Sequence, residues 1–121
     1  MAWSFDGKSP VSLQIARKLR IDILKGAYPA GTQFPTVRQL ACDASVNPNT
    51  MQKALAILEN EGILISKTTV GRFVTEDKEV LDEALASLQK EYLESAISGA
   101  TELGITRDGI LKFLKEREDL L

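Results

Sequence analysis

Within seven residues, Asn47, Asn49, Thr50, Gln52 and Lys53 gather three carboxamides, a hydroxyl and an ammonium group. Such groups donate and accept hydrogen bonds and carry one positive charge, which suits recognition rather than bond breaking. At the start of a helix they are joined by the orphan backbone amides of the first turn. The combination fits the base edges and phosphates of nucleic acid. For each side chain the plain alternative is a solvated polar residue.

Two short helices around a tight turn must position this cluster. The stretch Thr36-Val-Arg-Gln-Leu-Ala-Cys-Asp-Ala-Ser-Val-Asn-Pro-Asn-Thr-Met-Gln-Lys-Ala-Leu55 has that pattern. Thr36 is the expected cap of the first helix. Asn47 is the expected cap of the second, with Pro48 in the first position, where a missing N–H costs nothing. Val46 and Met51 occupy the staple positions around that cap. Met51, Ala54, Leu55 and Leu58 recur at helical spacing, so they face inward and leave Asn49, Thr50, Gln52 and Lys53 outward. Glu59-Asn60-Glu61-Gly62 ends the helix on a glycine. Ile63 to Lys67 and Arg72 to Thr75 are then two β-prone runs around Thr68-Thr69-Val70-Gly71, predicting a hairpin with a polar tip.

Helix, turn, helix and hairpin in this order resemble the DNA-binding domain of the GntR family of bacterial transcription regulators, over residues 10 to 75. Val46-Asn-Pro-Asn-Thr-Met-Gln-Lys-Ala-Leu, followed by Leu58-Glu-Asn-Glu-Gly, is similar to its YtrA-like branch. Pro10-Val-Ser-Leu-Gln-Ile-Ala, Gly26-Ala-Tyr-Pro-Ala-Gly-Thr and Phe34-Pro-Thr-Val-Arg-Gln-Leu-Ala resemble the family's first helix, the turn after it and its second helix. The resemblance implies that Thr36 touches phosphate and that Arg38 enters the major groove. There a guanidinium can donate two parallel hydrogen bonds to O6 and N7 of guanine; the alternative for Arg38 is a surface ion pair. Arginines of the family's recognition helix are replaced here by Pro48 and Gln52, so Asn49, Thr50, Gln52 and Lys53 are assigned as a group. In the wing, Thr69 and Gly71 stand where many relatives have a glycine pair. Lys67 and Arg72 are expected to hold phosphates, Thr68 and Thr69 to supply hydroxyls, and Gly71 to let the backbone approach.

Charge agrees once it is divided along the chain. The net charge is −2. Residues 1–75 carry nine Lys/Arg against five Asp/Glu, whereas residues 76–121 carry six against twelve. The basic portion is the one with the expected helix-turn-helix. With 121 residues and 44% apolar composition, the chain has the make-up of an ordinary soluble protein. Its N-terminus lacks the basic and apolar regions of a signal peptide, and no apolar run could span a bilayer, so a cytoplasmic location and no membrane partner are expected. The single cysteine, Cys42, agrees with a reducing compartment.

Ser9-Pro10 is expected to open a scaffold helix whose stripe is Val11, Ile15, Leu19, Ile23 and Leu24, ending at Gly26. Pro29 to Pro35 reads as a turn-rich connector. From Asp77 to about Thr101, Leu81, Leu85, Leu88, Tyr92 and Ala96 recur at helical intervals. Gly104 breaks the run. Thr106 caps a last helix, stapled by Ile105 and Ile110, in which Leu111, Phe113 and Leu114 are apolar. Two such helices cannot bury a core of their own, so their faces must meet either the winged helix or a second copy of the chain, and a homodimer is the expectation. Leu81, Leu85, Leu88, Tyr92, Ile110, Leu111 and Leu114 are its expected contacts.

The fold expected is mainly α with a small β-hairpin. A winged helix-turn-helix domain (1–75) precedes a two-helix dimerisation region (76–121). An enzyme is disfavoured, since the chain has no histidine, no phosphate-cradling glycine motif and no activated nucleophile; neither a cofactor nor a metal is expected. The function expected is a homodimeric repressor reading an inverted-repeat operator in double-stranded DNA. The YtrA-like resemblance points to an operon for an ABC-type transporter. No residue cluster indicates a small-molecule effector. The alternative, a winged helix serving as a protein-interaction module, would predict an apolar recognition face and no basic wing.

Overall fold

The computed structural model describes residues 3–118. In chain order the elements are α1 (Val11–Leu24), α2 (Val37–Ala44), α3 (Pro48–Asn60), β1 (Leu64–Lys67), β2 (Gly71–Val74), α4 (Lys78–Glu102) and α5 (Arg107–Glu116). They fall into two compact units, one ending at Ala84 and the next beginning at Leu85.

The first unit has one core. Ile15, Leu19 and Ile23 enter it from α1, Leu40, Ala41 and Ala44 from α2, and Met51, Ala54, Leu55 and Leu58 from α3. Ile63, Leu64 and Val74 close it from the hairpin, and Phe34 from the connector. The helical sets each repeat at helical spacing, which is why these helices form with those faces inward. Leu81 and Ala84, in the first turns of α4, also pack on this core. Leu81, expected among the dimer contacts, is therefore engaged within its own chain.

Pro10 takes the N-cap position of α1, one residue later than the expected Ser9 cap, and makes no side-chain cap bond. Its ψ of 139° is extended, so regular helix starts at Val11. Gln14 ties down the lead-in instead. Its Nε2 donates to the carbonyls of Asp6 and Ser9, both at 2.9 Å. The helix ends as expected before Gly26, whose φ is +93°.

β1 and β2 pair antiparallel, with Leu64 opposite Val74, Ile65 opposite Phe73 and Lys67 opposite Gly71. Gly71 thus belongs to β2, leaving Thr68, Thr69 and Val70 as the tip. The connector contributes a third edge that alternation in the sequence did not suggest. Phe34 N donates to Arg72 O at 2.8 Å, Val74 N to Thr32 O at 2.9 Å, and Gln33 pairs with Phe73.

In the second unit, Thr106 Oγ1 accepts from Gly109 N at 3.1 Å and so caps α5 as expected. No residue of α5 is buried. Leu85, Leu88 and Ile110 are half-buried, while Tyr92, Leu111 and Leu114 are exposed. Phe113 is exposed too, and the exposed Leu93, Ile97 and Leu103 extend the apolar surface beyond the residues read from sequence. Among the described residues no helix is long and apolar enough to cross a membrane.

Candidate nucleic-acid interface

Helix α2 opens with a reciprocal cap. Thr36 Oγ1 accepts from Gln39 N at 3.1 Å, and Gln39 Oε1 accepts from Thr36 N at 2.9 Å. This capping box fixes the first turn, where Arg38 projects exposed. Ser45 turns the chain between the helices in the left-handed conformation, φ 56° and ψ 47°. Val46 N reaches back to Ala41 O at 3.0 Å, satisfying a carbonyl at the end of α2.

Helix α3 then starts at Pro48. Asn47 Oδ1 accepts from Asn49 N at 2.7 Å, as the cap expectation required. Met51, Ala54, Leu55 and Leu58 are fully buried, whereas Asn49, Gln52 and Lys53 are exposed and Thr50 is half-buried. Packing of α3 against α1 and α2 therefore leaves one face mostly polar, with Ala56 its exposed apolar residue. The other end of α3 is tied to α1, since the Arg20 guanidinium donates to both Glu61 carboxylate oxygens, at 2.8 and 2.6 Å.

At the wing, Lys67, Thr68, Thr69 and Gly71 are exposed. The Lys67 ammonium sits 4.4 Å from the centre of the Phe73 ring, a cation–π contact that orders its stem beside the tip. Arg72 departs from expectation. Its Nε donates to the Glu59 carboxylate on α3, and only 17% of its side chain is exposed. Expected as a phosphate ligand, Arg72 instead joins the wing to α3. Its placement opposite Ser66 in the strand register directs it toward the helix rather than outward.

Two participants, Glu59 and Gln33, escaped the sequence reading. Glu59 looked like part of a polar helix end, and nothing in its neighbourhood signalled a partner 13 residues away. Gln33 lies in the connector, and its Nε2 donates to Val70 O at the wing tip, 2.8 Å away. Thr32-Gln33-Phe34 does not alternate polar with apolar, and the one available signal was Pro35, since proline suits the border of an edge strand.

Known proteins agree with this architecture. The family model for bacterial regulatory proteins of the gntR family matches residues 11–74. The chain is 32% identical to the HTH-type transcriptional regulator YhcF of Bacillus subtilis, covering 92% of each. It is 33% identical to the HTH-type transcriptional repressor YtrA of the same organism, over 89% of this chain and 84% of that one. A GntR family transcriptional regulator from Listeria monocytogenes has the same fold at a TM-score of 0.85 and 34% identity, covering 93% of this chain and 98% of its own. Such regulators are not enzymes. With its matched domain and near full-length likeness to these proteins, the chain belongs to the GntR family of bacterial transcription regulators, which bind DNA through a winged helix-turn-helix.

Proposed function

We propose that this regulator acts as a homodimeric repressor that occupies an inverted-repeat operator and so blocks transcription. The division of α3 into a buried apolar face and an exposed face of Asn49, Gln52 and Lys53 carries this reading. Asn49, Thr50, Gln52 and Lys53 read base edges in the major groove, together with Arg38 on a guanine. Thr36 and Asn47, whose oxygens already cap helices, meet phosphate beside the helix N-termini. Lys67, Thr68, Thr69 and Gly71 engage the backbone next to the groove, and Arg72 supports them from behind.

Two copies are needed because one recognition helix reads only a half-site. A two-fold dimer sets two such helices about one helical turn, ~34 Å, apart. The exposed Tyr92, Leu93, Ile97, Leu111 and Leu114 supply the apolar surface for that contact. By likeness to the YtrA branch, the target is an ABC-type transporter operon, and the protein works in the cytoplasm. No effector is assigned.

Selection of bound duplexes from a random pool, with the mass of the complex read by light scattering, tests the proposal. The expected result is a palindromic site bound by two chains. Absence of enrichment over nonspecific binding would overturn it in favour of a protein-interaction module.

A further inference from the structure

The connector residue Gln33 touches the wing in three ways. Its backbone lies opposite Phe73 in an antiparallel bridge. Flanking bonds run from Phe34 N to Arg72 O and from Val74 N to Thr32 O, so Gln33 and Phe73 form a non-hydrogen-bonded pair. In such pairs the two side chains stand close on one face. From that face the Gln33 carboxamide crosses Gly71 and donates to Val70 O at 2.8 Å. Gly71 admits the crossing, because a Cβ there would lie 3.2 Å from Gln33 Nε2, and its φ of +123° suits glycine.

Val70 is the last residue of the tip. Its N–H donates to Lys67 O at 3.0 Å, closing the turn that displays Thr68 and Thr69. The turn is thus closed from within by one bond and held from outside by another. The connector's backbone bonds reach only as far as Arg72, so without the second bond the tip beyond it would depend on the hairpin's own pairing, which is weak in two-stranded hairpins. The connector is itself anchored: Thr32 Oγ1 donates to Pro29 O at 2.6 Å, and Gly31 N donates to Val74 O at 2.9 Å.

We infer that Gln33 is a positioning residue for DNA binding, pinning the wing tip through the Val70 carbonyl so that Lys67, Thr68 and Thr69 are already in place when the duplex arrives. The inference rests on the reading that the wing contacts DNA. Order established in the free protein need not be imposed on binding, which raises affinity without a new contact.

Gln33→Met keeps the length of the side chain and removes the donor; Gln33→Ala removes both. Both variants and Lys67→Ala are tested on a short duplex carrying the enriched site, and amide exchange of Val70 and Gly71 is followed in the free protein. The expected result for Gln33→Met is faster exchange at the tip, an unchanged melting temperature and roughly two- to tenfold weaker binding. Combined with Lys67→Ala, it should add little further loss, because both act through the wing. If Lys67→Ala weakens binding while neither Gln33 variant changes tip exchange or affinity, the pin is refuted and DNA contact by the wing stands. If Lys67→Ala leaves affinity unaltered, the wing does not engage DNA, and both readings fall together.

Discussion

The carboxylate of Glu59, on the outer half of α3, accepts a hydrogen bond from Arg72 Nε on β2, which makes the wing and the recognition helix a single mechanical piece. Both side chains are mostly shielded, at 27% and 17% exposed, so the pair is neither a screened surface contact nor a fully buried one. Its contribution should fall between those limits, and Glu59→Ala should lower unfolding free energy by on the order of 1 to 2 kcal/mol. Arg72→Met should cost a similar amount, and the double variant little more than either. Urea melts of the four proteins measure this, and fully additive losses would show that the two residues act separately.

Arg38 and Lys67 should fail in different ways. In the proposed complex Arg38 is a two-pronged donor to one base, so Arg38→Ala should weaken binding by about 1 to 3 kcal/mol at one guanine and relax preference there. Lys67 is proposed to meet phosphate instead, so in Lys67→Ala all sequences should weaken alike and the salt slope should fall by about one. Titrations against the selected site and single-base variants, at several salt concentrations, separate the two. Equal loss of specificity from both changes would contradict the assigned roles.

The exposed Leu93 and Ile97 lie one turn apart on α4 and are 64% and 51% accessible. Leu93→Lys with Ile97→Lys should convert a two-chain particle into a single chain by light scattering, because a charge cannot be left buried in an apolar contact. Helix content should hardly change, since neither side chain is packed within its own unit. Glu102→Lys, a change between exposed charged residues, serves as the control. A dimer that survives the paired lysines would place the contact elsewhere.

Tyr28 ties part of the stability to pH at the alkaline end. Its ring lies 4.7 Å from that of Phe34, tilted by 53°. Burial raises its pKa above the ordinary 10.0, Asp22 and Asp43 push the same way, and Lys18 opposes them. The unfolded phenol therefore ionises first, and the unfolded state holds fewer protons than the folded one in that window. Stability from this group is fully present below pH 10 and is lost as pH rises through the raised value. Melting temperatures across the alkaline limb should fall less steeply in Tyr28→Phe; an identical slope would remove Tyr28 from the account.

Much of the fold was readable because its signals are local. Thr36, Asn47 and Thr106 announce helix starts through side chains that cap within three residues, and the structure has all three bonds. Burial of Met51, Ala54, Leu55 and Leu58 follows from spacing alone. Ser9 was misplaced as a cap because Pro10 suits either side of a helix boundary, and its extended ψ decided the matter. What stayed hidden depends on distance along the chain. Arg72 meets Glu59 across 13 residues, and Gln33 meets Val70 across 37. Such pairs arise from packing, which charge and periodicity do not encode. Leu81 belongs to the same class, because a helical stripe does not say which core its first residue joins.

Most positions of α3 serve one face only, the half-buried Thr50 being an exception. Residues 51, 54, 55 and 58 hold the fold, residues 49, 52 and 53 look outward, and the Asn47 cap and the Arg20–Glu61 pair fix the ends. Sequence preference can therefore drift by ordinary point substitution at the outward positions without passing through an unstable intermediate. A duplicated copy of such a gene has a short evolutionary route to a new operator, with its scaffold inherited intact.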